Sequence, residues 1–326
     1  MMSANTKITD FLMRSHGIDV SKYDESFLDK SLQKRITETH CGSLEKYCSF
    51  LEQDNKEIKI LSDSLHVNYS EFFRNTLTFA VLERIVLPGM GRRQEGGRIG
   101  ESENPPSLRS YGGRSRRIGV GEGLWNAGNL PASGKGKDCQ QVAGGPVRRR
   151  RKELRIWSAA CAGGQEAYSL AILLEELKNG DSEKFNYRIF ATDQDEAQVN
   201  EARKGEYPAA ALNNLSLKRA NQWFIRHGEK YTVKPGLKEN MEFSVFDLFS
   251  ENLSSPPGSI FGDFDLVFCA NLLFYYKDKY RKTILDKTGN CLADGGFLVV
   301  GEIEREILMN YGYREVFPQS GVFKKN

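Results

Sequence analysis

Four polar residues in the second half of the chain stand directly after apolar runs. They are Glu166, in the loop Ala160-Cys-Ala-Gly-Gly-Gln-Glu166, then Asp193, Asp247 and Asn271. If the runs are strands of an open α/β sheet, these positions are the carboxyl ends of the strands, where such sheets bind ligands. The 160–166 loop consists of small side chains, which let a ligand approach the backbone. It is not G-x-G-x-x-G, so the dinucleotide fingerprint is absent, and tight strand–helix packing asks for the same small residues. Asp193 follows Gly164 by 29 residues, the place at which nucleotide-binding sheets put an acid on the ribose hydroxyls. The alternative for Asp193 is helix capping, since both it and Asp195 precede a helical pattern. An amide beside an apolar side chain, Asn271-Leu272, suits an adenine ring and its amino group. Val245-Phe-Asp247-Leu248 offers a similar pair, although turns also select Asp and Asn. Together the four strand ends favour a nucleoside-type ligand.

The elements that must position these residues are legible as periodicity. Leu154-Arg-Ile-Trp-Ser-Ala159 reads as a buried strand, and 166–178 as a helix with Leu170, Leu173, Leu174 and Leu177 inward. Residues 187–192 give a second strand and 196–204 a second helix; 264–269 and 296–300 are further strands, with a helix near 280–292 between them. This order predicts a parallel sheet with helices on both faces. Residues 313–316 and 321–324 read as a closing antiparallel hairpin.

Residues 1–90 read as a helical domain with no strand pattern. Leu28, Leu32 and Ile36 share one face, as do Leu44, Tyr47, Cys48 and Leu51. Ser26 and Asp29 form an expected capping pair. Phe72, Phe73, Leu77, Phe79, Leu82, Ile85 and Val86 predict a longer apolar helix ending near Pro88-Gly89. The segment 91–152 differs in kind. It holds 14 of the chain's 31 glycines and four of its ten prolines, and no period survives in it, so it is expected to be a disordered insertion or linker. The sheet domain then runs over 153–326.

Composition excludes several classes. The 326 residues are 39% hydrophobic and 27% charged, as in ordinary soluble proteins. No apolar run is long enough to span a bilayer, and residues 1–20 lack the pattern of a signal peptide, so a cytoplasmic protein without membrane insertion is expected. The six cysteines form no C-x-x-C pair and the four histidines do not cluster with them, which argues against a zinc site. The net charge of +3 is local in origin: 91–152 contain 14 Lys/Arg against 5 Asp/Glu, a net +9, which leaves the remainder at −6. The run Arg148-Arg-Arg-Arg-Lys152 is read as a solvated basic tract, and no nucleic acid is expected as partner.

Over nearly its whole length the chain resembles the CheR-type chemoreceptor glutamate methyltransferases. Asn68-Tyr-Ser-Glu-Phe-Phe-Arg74 is similar to that family's N-x-T-x-F-F-R motif, and Phe268-Cys-Ala-Asn-Leu-Leu-Phe-Tyr-Tyr276 to its FCRNVLIYF segment. Leu154-Arg-Ile-Trp-Ser-Ala-Ala-Cys161 with Gly164-Gln-Glu-Ala-Tyr168, Ala191-Thr-Asp193 and Gly301-Glu-Ile-Glu304 resemble further family motifs that are common in nucleotide-binding sheets. The resemblance implies a small all-helical domain followed by a Rossmann-like, class I methyltransferase domain whose sheet ends in an antiparallel hairpin. It implies S-adenosylmethionine as cofactor, the cytoplasmic domain of a methyl-accepting chemoreceptor as partner, and a monomer. By the same resemblance Asn68, Ser70 and Arg74 reach the methionine moiety and the mouth of the site. Glu166 holds the amino group and Asp193 takes the ribose hydroxyls. Asp247, Leu248, Asn271 and Leu272 surround the adenine and nearby ribose, while Arg74 and Tyr275 flank the transferred methyl as the catalytic pair.

Several positions depart from the family pattern. Ala270 replaces an arginine, Gln165 and Ala167 replace Glu and Pro, Ser70 replaces Thr and Glu302 replaces His. The segment 222–243 is short where some members carry a small β-subdomain that grips a receptor tail, so docking independent of a tail is expected. A helix bearing Lys30, Lys34 and Arg35 is a candidate docking face for an acidic receptor bundle, a solvated basic face being the alternative. Phe72, Phe73 and Phe274 are available to build an apolar site, with core packing as their other duty. The rival readings are a methyltransferase-like scaffold without turnover and a carboxyl methyltransferase acting on another substrate.

Overall fold

The computed structural model describes residues 4–65, 70–93, 153–180, 185–259 and 262–325, with the side chains of 4–7 and 91–93 left aside. The chain opens with four helices, α1 (Ala4–His16), α2 (Glu25–Glu38), α3 (Leu44–Leu51) and α4 (Asn55–Leu65). Leu28, Leu32 and Ile36, spaced by four, bury one face of α2, and Tyr47 and Leu51 do the same for α3. The cap of α2 is Asp24, whose carboxylate accepts the Ser26 N–H at 3.0 Å. It lies two residues upstream of the capping pair expected at Ser26, because Asp at the N-cap satisfies the second helical N–H directly.

Arg35 is not a surface cation. Its guanidinium grips Glu57 from α4 through Nε at 2.8 Å and Nη2 at 2.6 Å, and a third nitrogen meets Glu38. Tyr47 donates to the same Glu57 carboxylate at 2.7 Å. Arg35 thus links α2, α3 and α4, and of the expected docking cations only Lys30 and Lys34 are exposed.

The apolar run after residue 70 behaves differently from its expected single helix. Residues 70–75 form a turn in which Phe73 has φ 50°. The helix starts later, as α5 (Thr76–Val81), passes through a π turn (Leu82–Val86) and continues as α6 (Leu87–Arg93) beyond Pro88-Gly89. Pro88 has no N–H to give, and the wide turn before it, where the Leu87 N–H reaches Leu82 O, is the local irregularity beside which a helix takes up a proline. Phe79, Leu82, Val86, Leu87 and Met90 pack on the sheet.

The second half alternates as expected. It runs β1 (Glu153–Ala159), α7 (Gln165–Gly180), β2 (Asn186–Asp193), α8 (Glu196–Lys204), β3 (Glu206–Pro208), α9 (Leu217–Trp223), β4 (Phe224–His227), β5 (Lys230–Val233), α10 (Pro235–Lys238), β6 (Met241–Val245) and β7 (Phe264–Phe268). It closes with α11 (Asp278–Cys291), β8 (Leu292–Val299), α12 (Arg305–Asn310), β9 (Arg314–Glu315) and β10 (Val322–Lys324). The main sheet has the order β6-β2-β1-β7-β8-β10-β9. The strands from β6 to β8 are mutually parallel, and β10 lies antiparallel between β8 and β9. Strand order reverses at β1, which places the topological switch point between β1 and β7.

Both faces of the sheet are covered. Ile156, Ile189, Leu266 and Val299 face a core with α5–α7, while their neighbours Trp157, Phe190, Val267 and Leu298 face a core with α1–α4 and α11. This alternation is the two-residue period of a strand with each face buried. The stretch 222–243, expected to be too short for a small β-subdomain, contributes β4 and β5 to a three-stranded antiparallel sheet of order β3-β5-β4. That removes the basis for expecting tail-independent docking. No helix among the described residues is long and apolar enough to cross a membrane.

Candidate active site

A cleft of about 990 Å³, counting space open to solvent, lies at the carboxyl ends of β1, β2, β6 and β7. It is lined by the loops after these strands and by the 70–79 segment.

The loop after β1 owes its small residues to conformation as much as to access. Ala160 and Ala162 have φ 57° and 46°, the left-handed region that larger side chains avoid. Gly164, at φ 87°, packs so closely on α8 that a Cβ there would stand 2.8 Å from Ala202 Cβ. Cys161, buried beneath this loop, has its thiol pushed well up by burial and then by the Asp193 and Glu166 carboxylates, and is inert.

Glu166 opens α7 and lines the cleft, with Oε1 accepting from Ser158 Oγ at 3.1 Å. Burial pushes its carboxyl well above the usual range; the Ser158 hydrogen bond opposes this, Glu304 adds to it, and the Arg74 cation opposes it. Asp193 ends β2. One carboxylate oxygen accepts the Ala162 N–H at 2.9 Å and the other the Asp195 N–H at 2.9 Å. The cap of α8 is Asp195, which accepts from Ala197 N–H at 2.8 Å, so the capping alternative belongs to Asp195. These two N–H bonds fix the carboxylate at the edge of the cleft, where a ligand diol would meet it.

Asp247 follows β6, accepts the Phe249 N–H at 2.8 Å and lines the cleft with Leu248. Asn271 and Leu272 follow β7, with Asn271 at φ 62°. Their turn is held by Glu304, which is fully buried and accepts N–H bonds from Asn271 (2.8 Å), Leu273 (2.6 Å) and Gly301 (2.7 Å). Burial raises the Glu304 carboxyl, while those backbone donors favour its ionised form. Ser70, Arg74 and Tyr275 line the same cleft, half-buried. Burial raises the Tyr275 phenol, with the Arg74 cation opposing and Glu304 adding. Asn68 lies outside the described residues.

Eight of the nine candidate cofactor positions, together with Tyr275, thus face one cleft. Among the departures, Ala270 lines it, whereas Glu302 is exposed and outside it. Phe72 and Phe73 are core residues: Phe72 packs edge-on against Tyr207 and Phe224, and Phe73 against Phe79. The aromatic wall comes from Phe79, Phe246, Phe249, Phe268, Tyr23 and Tyr276. Phe246, Phe268 and Tyr276 fall in segments singled out in the sequence and Phe79 in the apolar run after residue 70, whereas Tyr23 comes from a turn between helices with no motif of its own. The set suits a ligand with a cation at one end, a diol in the middle and a flat ring at the other. Glu166 offers a half-buried carboxylate, Asp193 a carboxylate oriented by two backbone N–H groups, and Leu248 and Leu272 apolar surface beside an amide.

Comparison with known proteins agrees with this chemistry. Residues 6–65 match a family model described as the CheR methyltransferase all-alpha domain, and 141–319, more than half the chain, one described as the CheR methyltransferase SAM binding domain. A chemotaxis protein methyltransferase of Borreliella burgdorferi is 24% identical, with 98% of this chain and 93% of that protein covered. One from Listeria innocua is 24% identical, covering 91% and 88%. Chemotaxis protein methyltransferase 1 of Pseudomonas aeruginosa is 35% identical over 47% of this chain and 55% of its own. With an all-α domain ahead of a parallel sheet that closes in an antiparallel hairpin, and a donor set that fits S-adenosylmethionine, the chain belongs to the CheR family of S-adenosylmethionine-dependent methyltransferases.

Proposed function

We propose that this enzyme esterifies glutamate side chains in the cytoplasmic domain of methyl-accepting chemoreceptors, with Arg74 and Tyr275 at the reacting end of the cleft. The observation that carries the reading is the convergence of these two residues with Glu166, Asp193, Asp247 and Asn271 in one cleft at the switch of strand order. The names of the similar chemotaxis methyltransferases support it.

Bound S-adenosylmethionine supplies an electrophilic methyl group on a sulfonium. Glu166 takes the amino group, Asp193 the ribose hydroxyls, and Asp247, Leu248, Asn271 and Leu272 the adenine end; Asn68 and Ser70 complete the methionine end. A glutamate has a reference pKa of about 4.3, so the nucleophile is ionised at neutral pH and no general base is required. Arg74 pairs with the incoming carboxylate, and the Tyr275 phenol, a neutral donor, orients it. A carboxylate oxygen held in line by these two residues would accept the methyl, and the electron pair of the C–S bond would stay on sulfur. Charge is annihilated in this step, so a dry site favours it, and the aromatic wall of Phe79, Phe268 and Tyr276 keeps water away. The residues' task is alignment, which fits a cleft with no histidine among its described lining residues.

The test is transfer of labelled methyl from S-adenosylmethionine to a receptor cytoplasmic fragment, with free glutamate offered in parallel. Label should enter the protein and be released as methanol by mild base. Label stable to base, or label only on free glutamate, would contradict the proposal.

A further inference from the structure

We infer that Tyr23, on the turn between α1 and α2, is a further binding residue, its phenol donating a hydrogen bond to the adenosine half of the methyl donor. The inference rests on the orientation proposed above, with the ribose at Asp193.

Residues 22–24 pair with the loop that carries Tyr275. The Lys277 N–H donates to Lys22 O at 3.0 Å, and the Asp24 N–H to Tyr275 O at 2.8 Å. Between these bonds Tyr23 and Tyr276 form an antiparallel bridge. Directly opposed residues project to one side of such a ladder, and the two rings stack with centroids 5.4 Å apart and planes 16° from parallel. Phe249 packs edge-on against Tyr276 at 5.0 Å. An ion pair between Arg281 and Asp24 at 3.8 Å reinforces the junction.

Both tyrosines are more than nine-tenths buried, at 8% and 5% exposure, and both line the cleft beside Asp247. Neither phenol makes a hydrogen bond to a described residue. The hydroxyls therefore meet the space of the cleft and not the protein, on rings that the stack and the bridge hold in place. A donor fixed in this way beside Asp247 is placed to be met by an acceptor on a ligand in the cleft. Burial, followed by the Asp19 and Asp247 carboxylates, pushes the Tyr23 phenol up to about 12, so it remains a protonated donor at every working pH. Adenosine offers ring-nitrogen and ribose-oxygen acceptors to such a donor. Leu65 and Tyr23 bring the helical bundle to the cleft wall, so the bundle would contribute to holding the cofactor as well as to meeting a substrate.

The experiment is calorimetry of S-adenosylhomocysteine, adenosine and methionine binding to the full chain and to Tyr23→Phe and Asp193→Asn. Phenylalanine keeps the ring and its stack, so ligand-free Tm should be unchanged. Tyr23→Phe should weaken S-adenosylhomocysteine and adenosine by the same factor, roughly 3- to 10-fold for one neutral hydrogen bond, and leave methionine unaffected. Unchanged affinities in Tyr23→Phe with a loss in Asp193→Asn would overturn the Tyr23 contact and leave the orientation standing. Unchanged affinities in both would overturn the orientation and the contact with it. An equal loss for methionine would show that Tyr23 shapes the whole cleft instead of touching adenosine.

Discussion

At Glu166, burial and charge oppose each other within the cleft. Its folded carboxyl titrates well above the ordinary value, chiefly because burial penalises the anion. In the unfolded chain the group ionises near its ordinary pKa of about 4.3. As pH rises through the window between those two values, the unfolded state loses its proton first, so the ligand-free fold loses stability. An ammonium group placed against Glu166 favours the anion, so binding of S-adenosylmethionine should tighten as pH rises through the same window. Glu166→Gln removes the titration. Its ligand-free Tm should exceed wild type at neutral pH, the gap closing as pH falls toward 4.3. Its affinity for the cofactor should be lower by roughly 10- to 100-fold, the loss of one charge-assisted hydrogen bond, and flat with pH. Calorimetry and thermal melts across a pH series check both signs together, and an affinity that kept the wild-type pH slope would exclude Glu166 as the group responsible.

The elements hold the site by bonds that run across the sequence, and these were the part least legible in it. Apolar spacing alone identified α2, α3, α7 and the central strands, because burial of one face or two leaves a clear period. It overran at Phe72, where an aromatic is buried by packing on Tyr207 and Phe224 from a turn, so composition continued while the helix had not begun. It missed β3 to β5, whose strands are three or four residues long and bury one residue each, too few to alternate visibly. The Arg35 assignment failed for a related reason: a basic residue on a helix reads as solvated until the partner twenty-two positions away is known. That partner sets a prediction. Removing one member of a buried, bidentate ion pair costs about 3–5 kcal/mol, so Arg35→Ala should lower Tm sharply, with loss of helical signal. Lys34→Glu, 70% exposed and in weak contact with Glu38, should leave Tm near wild type. Equal Tm values for the two variants would refute the structural role of Arg35.

At the scale of the whole molecule, the position of the cleft was legible and its closure was not. Strand ends are marked locally, by Glu166, Asp193, Asp247 and Asn271, and the sheet's topology brings them together at the switch point. Tyr23 reaches the cleft through tertiary contacts that no local pattern announces; Glu304 lies in the Gly301-Glu-Ile-Glu304 segment, but its part in holding the Asn271 turn shows only in the fold. The helical bundle and the sheet fall within one compact unit, with the 22–24 and 275–277 strands as one of its seams. In the proposed reaction this cleft passes a methyl group to a glutamate carboxylate of a receptor, with Arg74 aligning the acceptor. The most direct measurement is single-turnover transfer of labelled methyl to a receptor fragment, run beside a fragment whose acceptor glutamates are replaced by glutamine, for wild type and Arg74→Ala. Base-labile label should appear on the glutamate fragment alone. The rate for Arg74→Ala should fall roughly 100-fold from lost alignment, with cofactor affinity changed far less. Label on the glutamine fragment, or a rate in Arg74→Ala that fell only in step with cofactor affinity, would overturn the proposed transfer.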